Sequence, residues 1–161
     1  MNILRLATFG VILTINLTQG NAQAPKPGAA RNVILFLGDG TGLSTIHAAS
    51  LYGHREPQKL YIQRMPHLAF SETSSASRWV TDSAAGMTAI VTGEKTHNGV
   101  ISQSDAAVRG KQDGRPLKTI LEHAEERGLL TGVVTNSPLA DATPAATYAH
   151  ANDREIGRAH V

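Results

Sequence analysis

Val33-Ile34-Leu35-Phe36-Leu37, followed at once by Gly38-Asp39-Gly40-Thr41-Gly42, is the stretch that decides the fold. Five consecutive apolar residues are typical of a strand in a parallel sheet, which is covered on both faces. The glycine-rich segment that follows predicts a turn, and Leu43 to Tyr52 can form a helix after it. A strand, a turn and a helix in this order indicate the beginning of an α/β domain.

The same alternation continues along the chain. Pro116 is predicted to open a helix whose apolar residues recur at helical spacing, and Gly128 stands where a C-terminal glycine cap belongs. The other predicted elements are an exposed loop at Glu72 to Arg78, a helix at Ala84 to Val91 ended by Gly93, a buried strand at Leu129 to Thr135, and a helix from Thr143-Pro144 through Arg154. The predicted fold class is therefore α/β, with a mainly parallel central sheet flanked by helices on both faces.

Composition limits what the protein can bind. The chain has 161 residues, 15 Lys and Arg against 13 Asp and Glu, and no Cys. This length allows one domain, and the balanced charge, with no basic stripe, argues against a nucleic-acid partner. An exported domain without Cys has to reach stability by core burial or by oligomerisation rather than by disulfides.

Residues 1–24 resemble a secretory signal peptide. Arg5 supplies a positive charge, Leu6 to Leu17 form an apolar run, and small residues follow, with cleavage preferred after Ala22. The run is shorter than the roughly 20 apolar residues that a membrane-spanning helix needs. We therefore expect an exported protein, periplasmic or extracellular, with no membrane contact in its mature form.

The first candidate site is the turn at Gly38 to Gly42. It lacks the third glycine of a dinucleotide-binding loop and the Gly-Lys-Ser/Thr ending of a phosphate-binding loop. The carboxylate of Asp39 would repel a phosphate unless a cation lay between the two anions. Asp39 is therefore either a metal ligand or a loop carboxylate that accepts backbone N–H groups.

The second candidate site is the segment Thr81 to Ala85. A serine at a helix start, here Ser83 after Asp82, lies beside unpaired backbone N–H groups and the positive end of the helix dipole, which would stabilise an attacking oxygen and a phosphate. Asp and Ser are also common N-cap residues, so a purely structural role remains open.

The third candidate site is Asp141-Ala142-Thr143-Pro144 together with Arg154. The side-chain oxygens of Asp141 and Thr143 can face one hard cation. Arg154 is predicted to lie three helical turns beyond Thr143 on about the same face, where its planar guanidinium would bind a phosphate through two hydrogen bonds. A plain helix start at Thr143-Pro144 is the structural alternative. The seven histidines show no zinc-binding pattern and are interpreted as surface or core residues.

Three segments taken together resemble the alkaline phosphatase family: NVILFLGDGTG, VTDSAAGMTAIVTGEKTHNG and DATPAATYAHANDR. The resemblance covers nearly all of residues 32–154 and implies that the chain has the N-terminal part of that fold. It implies that Ser83 is the nucleophile that becomes phosphoserine. It also implies that Asp82 positions Arg154, and that Arg154 holds the substrate phosphate.

The resemblance also implies a metal site. Asp39 would bridge a zinc and a magnesium ion, Thr143 would bind magnesium, and Asp141 would serve the same metal directly or through water. The implied activity is hydrolysis of small phosphomonoesters with Zn²⁺ and Mg²⁺ as cofactors, in a protein whose full-length form is a homodimer. Thr41 stands where the family often has Met.

Residues 25–155 are expected to be the N-terminal part of the alkaline phosphatase domain. We expect the remaining zinc and magnesium ligands of the family to lie in a C-terminal half that these residues do not include. Residues 156–161 depart from the family pattern and resemble the translation of a sequencing-adapter read-through, so we predict a non-native tail. On this prediction the chain as printed is inactive. The alternatives are an exported phosphate- or metal-binding protein without turnover, or a phosphodiesterase of the same superfamily. A sulfatase is disfavoured because its nucleophile motif is absent.

Overall fold

A computed structural model describes residue 30 and residues 32–155, and the chain divides into two compact units, Met1–Leu37 and Gly38–Val161. The predicted signal peptide and the predicted non-native tail lie outside the described residues. In the described part of the first unit, the apolar run Val33 to Leu37 is exposed and forms neither helix nor strand.

The two predicted strands are therefore wrong for this structure. Leu129 to Thr135 also forms no strand, and its Leu130 and Val134 side chains are fully exposed. A strand exists only where its backbone pairs with a neighbour. Among the described residues, β-pairing is limited to three isolated antiparallel bridges, and neither apolar run takes part in them.

The described part of the second unit contains four α-helices and one short 3₁₀ helix, joined by turns and irregular segments. Their bounds are α1 Leu43–His54, the 3₁₀ helix Tyr61–Arg64, α2 Ser83–Thr92, α3 Ile120–Glu125 and α4 Ala142–Ala145. The helices predicted near residues 43–52 and 84–91 are confirmed, and the exposed loop predicted at residues 72–78 contains no helix or strand. No described helix combines the length and the hydropathy that a membrane crossing requires.

The core lies where α2 packs against α4. Small side chains dominate it, so the two helices approach closely. Its buried members are Ala84, Met87, Val91, Ile101, Ala142, Ala145 and Ala146. This packing fixes the N-terminus of α2 relative to α4, and these two helices carry Ser83 and Thr143 of the candidate site.

Helix α3 begins later than predicted. Pro116 is not helical, because it pairs with Gln103 in an antiparallel bridge, and the Leu117 N–H donates to the Ser102 carbonyl. The helix instead begins after Thr119, whose hydroxyl accepts the Glu122 N–H while the Glu122 carboxylate accepts the Thr119 N–H. The predicted glycine cap is confirmed, since Gly128 has a φ of 72° and its N–H donates to the Glu125 carbonyl.

Helix α4 is much shorter than predicted. Its N-cap is Asp141 rather than Thr143, and it ends at Ala145 instead of continuing to Arg154. The helix does not reach Arg154 because Ala151 instead exchanges two backbone hydrogen bonds with Ile101, of 2.8 and 2.9 Å. Arg154 therefore does not share a helix face with Thr143, and its position depends on antiparallel backbone pairing.

Candidate active site

An oxygen cluster brings together Asp39, Ser83 and Thr143, which are separated by up to 104 residues in the sequence. The Ser83 hydroxyl donates to Asp39 Oδ2 at 2.9 Å, and the Thr143 hydroxyl donates to the same oxygen at 2.8 Å. Asp39 is exposed, whereas the other two residues are half-buried. Two hydroxyl groups, each carried by a packed helix, thus converge on one solvent-facing carboxylate oxygen.

The local structure around Ser83 leaves its hydroxyl available for chemistry. Asp82, not Ser83, is the N-cap of α2, and its Oδ1 accepts the Ala85 N–H at 3.0 Å. Ser83 is the first helical residue and uses its hydroxyl to contact Asp39. The positive end of the helix dipole lies at this residue and favours a nearby anion.

A second group, the arginine brace, consists of Asp82, Gly99 and Arg154. Asp82 Oδ2 accepts the Gly99 N–H at 2.8 Å and Arg154 Nη1 at 3.2 Å. The Arg154 N–H in turn donates to the Gly99 carbonyl at 2.8 Å. About three-quarters of the Asp82 and Arg154 side chains are buried, with exposed fractions of 25% and 23%. One carboxylate therefore both caps the helix of Ser83 and orients the guanidinium.

Gly99 is the member of the brace that the sequence interpretation missed. It has a φ of 87°, in the left-handed region that favours glycine, and both of its backbone polar groups belong to the brace. The Asn98-Gly99 pair was a possible signal, since this dipeptide is typical of turns with positive φ.

The oxygen cluster fits a hard cation. A carboxylate oxygen with two hydroxyl oxygens beside it is an oxygen-only donor set, which is the kind that Mg²⁺ prefers. The two hydroxyl oxygens lie at 2.8 and 2.9 Å from Asp39 Oδ2. Asp141 is the N-cap of α4 and precedes Thr143 by two residues, so a second carboxylate is close to Thr143 in the sequence. Within residues 30 and 32–155, no group of three or more His, Cys, Asp and Glu side chains could hold a metal.

Comparison with known proteins places the chain in a family. The family model described as alkaline phosphatase matches residues 30–160. This chain belongs to the alkaline phosphatase family. Over 135 residues it is 41% identical to alkaline phosphatase 4 of Drosophila melanogaster, an alignment that covers 78% of this chain and 22% of that protein. It is 38% identical to the streptomycin-6-phosphate phosphatase of Streptomyces griseus, with 89% of this chain and 32% of that protein covered.

Solved structures support the same assignment. A variant of the TAB5 alkaline phosphatase with magnesium bound in its M3 site has a TM-score of 0.63 and 36% identity, over 73% of this chain and 31% of that one. The predicted α/β fold class is therefore confirmed, although the two predicted strands are unpaired in the described residues. The chain spans between about a fifth and a third of the length of the relatives and structures that it matches.

Proposed function

We propose that this protein hydrolyses small phosphomonoesters through a phosphoserine intermediate on Ser83. The observation that carries the proposal is the convergence of the Ser83 and Thr143 hydroxyls on Asp39 at 2.9 and 2.8 Å, beside an oriented Arg154. Family membership supports it, and one relative is named for a phosphomonoester, streptomycin 6-phosphate.

The proposed metals are Mg²⁺ and Zn²⁺, with Asp39, Asp141 and Thr143 as magnesium ligands. Asp39 would also bind zinc, but a catalytic zinc takes three protein ligands, commonly including His. The described residues therefore supply only part of a zinc site. When bound, a divalent cation lowers the pKa of a coordinated hydroxyl and stabilises charge on phosphoryl oxygens.

The residues of this chain account for the nucleophilic step. The Ser83 hydroxyl lies 2.9 Å from Asp39 Oδ2, beside the proposed metal ligands, and would lose its proton to solvent, because the carboxylate of Asp39 would be taken up by the metal. The Ser83 oxygen then forms a bond to phosphorus while the ester P–O bond breaks, and the alcohol leaves with a proton from solvent. Water next attacks the phosphoserine, which releases inorganic phosphate and restores the Ser83 hydroxyl.

Arg154 is proposed to hold the phosphate during both steps. A guanidinium has five N–H donors in a planar fork, so a contact between Nη1 and Asp82 leaves others for two phosphate oxygens. The Gly99 carbonyl holds the backbone N–H of Arg154, and the Asp82 carboxylate holds its guanidinium. Because the side chain is already fixed, less conformational entropy is lost when phosphate binds.

We also propose that the mature protein is exported, to the periplasm or outside the cell, and forms a homodimer in its full-length form. The signal-like composition of residues 1–24 supports export. The proposed partners are small phosphomonoesters, and the balanced charge gives no support for nucleic-acid binding.

Trapping the intermediate tests the proposal directly. The protein expressed from its complete gene is incubated with an aryl phosphate, quenched in acid and digested, and the peptide that contains Ser83 is examined by mass spectrometry. We expect one added phosphoryl group on Ser83, and loss of both turnover and adduct with a chelator. A metal- or phosphate-binding protein would show neither turnover nor adduct, and a phosphodiesterase would prefer a diester to a monoester in parallel assays.

A further inference from the structure

Arg109 lies on a loop that the proposed chemistry does not use, yet it contacts the segment that carries Arg154. Its Nε and Nη2 donate to Asp153 Oδ1 at 3.2 and 3.1 Å. Asp153 is the residue directly before Arg154, and the same oxygen accepts the Glu155 N–H at 3.0 Å. A single carboxylate oxygen thus connects Arg109 to the backbone on both sides of Arg154.

Arg109 also lies against Gly99. A Cβ atom built on Gly99 would be 2.5 Å from Arg109 Cδ and 2.6 Å from Nε, so only a residue without a side chain permits this approach. Gly99 joins Asp82 through its N–H and Arg154 through its carbonyl. Arg109 therefore contacts the arginine brace from a second direction.

These contacts close a ring that runs from Arg109 through Asp153 to Arg154, on to Asp82 and Gly99, and back to Arg109. The Arg109 side chain is 47% exposed and that of Asp153 is 26% exposed, so the ion pair itself adds little to overall stability. Its geometric effect is larger, because it restrains the backbone from which the Arg154 side chain projects.

We propose that Arg109 is a positioning residue for phosphate binding, and that it acts by holding Asp153 and Gly99 so that Arg154 stays aimed at the phosphate. The proposal rests on the proposed role of Arg154. Arg suits this position better than Lys, because one side chain contacts Asp153 through two nitrogens while its Cδ and Nε lie on Gly99.

The experiment compares Arg109→Gln with a matched control, Arg115→Gln. Arg115 is a nearby arginine that contacts both carboxylate oxygens of Glu94, at 3.3 and 3.0 Å, with a 65% exposed side chain. Binding of inorganic phosphate is measured by calorimetry on the protein from its complete gene, supplied with Mg²⁺ and Zn²⁺. Amide hydrogen exchange of Arg154 and Gly99 is measured on the same proteins without added metal.

We expect Arg109→Gln to raise the phosphate Kd about 3- to 10-fold, the range expected for contacting residues that act together, and to speed exchange of the Arg154 amide. Arg115→Gln should change neither quantity. Arg109→Lys should give a phosphate Kd between those of wild type and Arg109→Gln. Its thermal unfolding is compared with that of wild type, to show that the change in Kd does not come from loss of the fold. In an Arg154→Ala background, Arg109→Gln should have no further effect on phosphate binding.

The outcomes separate this proposal from the proposed function. If wild type and Arg154→Ala bind phosphate equally, the role of Arg154 fails and this proposal falls with it. If Arg154→Ala weakens binding but Arg109→Gln behaves like Arg115→Gln, only the positioning role is overturned. An equal loss from Arg109→Gln with and without Arg154 would also overturn it, since Arg109 would then act on phosphate independently.

Discussion

The oxygen cluster and the arginine brace meet at adjacent residues, Ser83 and Asp82, but they are built differently. The cluster consists of two hydroxyl groups that converge on one carboxylate oxygen of Asp39, an exposed residue. The brace is tied to backbone groups of Gly99 and is three-quarters buried at Asp82 and Arg154. Groups that exchange protons and ligands need access to solvent, whereas a group that only has to be aimed gains from being fixed. The two regions should therefore respond differently to substitution.

The largest effect is expected from Ser83→Ala, which removes the nucleophile from the oxygen cluster. We expect kcat for an aryl phosphate to fall by about 10³- to 10⁶-fold, because a covalent route is lost and only direct attack by water remains. The fold should survive, since the N-cap of α2 is Asp82 and not Ser83. Steady-state kinetics and a thermal melt measure the two effects. An unchanged kcat would show that Ser83 is not the nucleophile.

A smaller effect on turnover is expected from Arg154→Ala, which removes the cation of the brace. We expect kcat/KM to fall about 10- to 100-fold, because one charged and oriented donor group is lost while the bound metals still stabilise charge. Arg154→Lys should recover only part of this, since it lacks the fork. Competitive inhibition by inorganic phosphate provides the measurement. Equal inhibition constants for wild type and Arg154→Ala would exclude Arg154 from the site.

A third substitution, Gly99→Ala, should affect stability and phosphate binding together. The new Cβ would meet Arg109 at 2.5 Å in a backbone with a φ of 87°. We expect a loss of about 1–3 kcal/mol in the free energy of unfolding from the strained backbone, with a weaker affinity for phosphate. Gly93→Ala is the matched control, because it has a φ of 77° with no atom near its Cβ. The free energy of unfolding of both variants is measured in urea. A larger loss for Gly99→Ala than for Gly93→Ala would show that contacts in the brace, and not only the positive φ, oppose the added Cβ.

Local patterns in the sequence predicted the helices better than the sheet. The helix at residues 83–92 has its signals within a few residues, namely an Asp cap, small apolar residues and a final glycine. The runs at residues 33–37 and 129–135 have the composition of buried strands, but pairing is a property of two segments, and neither has a partner in the described residues. The predicted length of α4 was wrong for a related reason. The backbone of Ala151 pairs with Ile101, a distant residue, instead of continuing the helix.

The candidate site was predicted mainly through the resemblance of whole segments. Asp39, Ser83 and Thr143 were each ambiguous alone, since every one of them also suits a turn or a helix start. Their common contact joins residues up to 104 positions apart, which no local pattern encodes. Gly99 and Arg109 were missed because their role lies in backbone contacts and in close packing, and the sequence around them carries only a turn signal.

The smallest effect is expected from a change remote from both regions, Glu122→Gln in the capping box of α3. The Thr119 N–H, with help from His150, holds the pKa of Glu122 below its usual value of 4.5. A lowered pKa in the folded state gives stability that is present above pH 4.5 and is lost as pH falls through the folded value. Gln keeps the capping geometry but not the charge. We therefore expect a loss of about 0.5–1 kcal/mol at neutral pH, within the range for caps and helix-end charges.

The difference between wild type and Glu122→Gln should shrink as pH falls below 4.5, because the Glu122 carboxylate is then protonated first in the unfolded chain and, at lower pH, also in the folded protein. Urea unfolding at neutral and acidic pH measures this, and phosphate affinity measured on the same variant at neutral pH gives the comparison with the brace. Affinity should stay at the wild-type value, since Glu122 contacts Thr119 and His150 and neither belongs to the cluster or the brace. A stability difference that does not change with pH would show that the charge of Glu122 does not stabilise α3. A loss of phosphate affinity would show that α3 also helps to position the site.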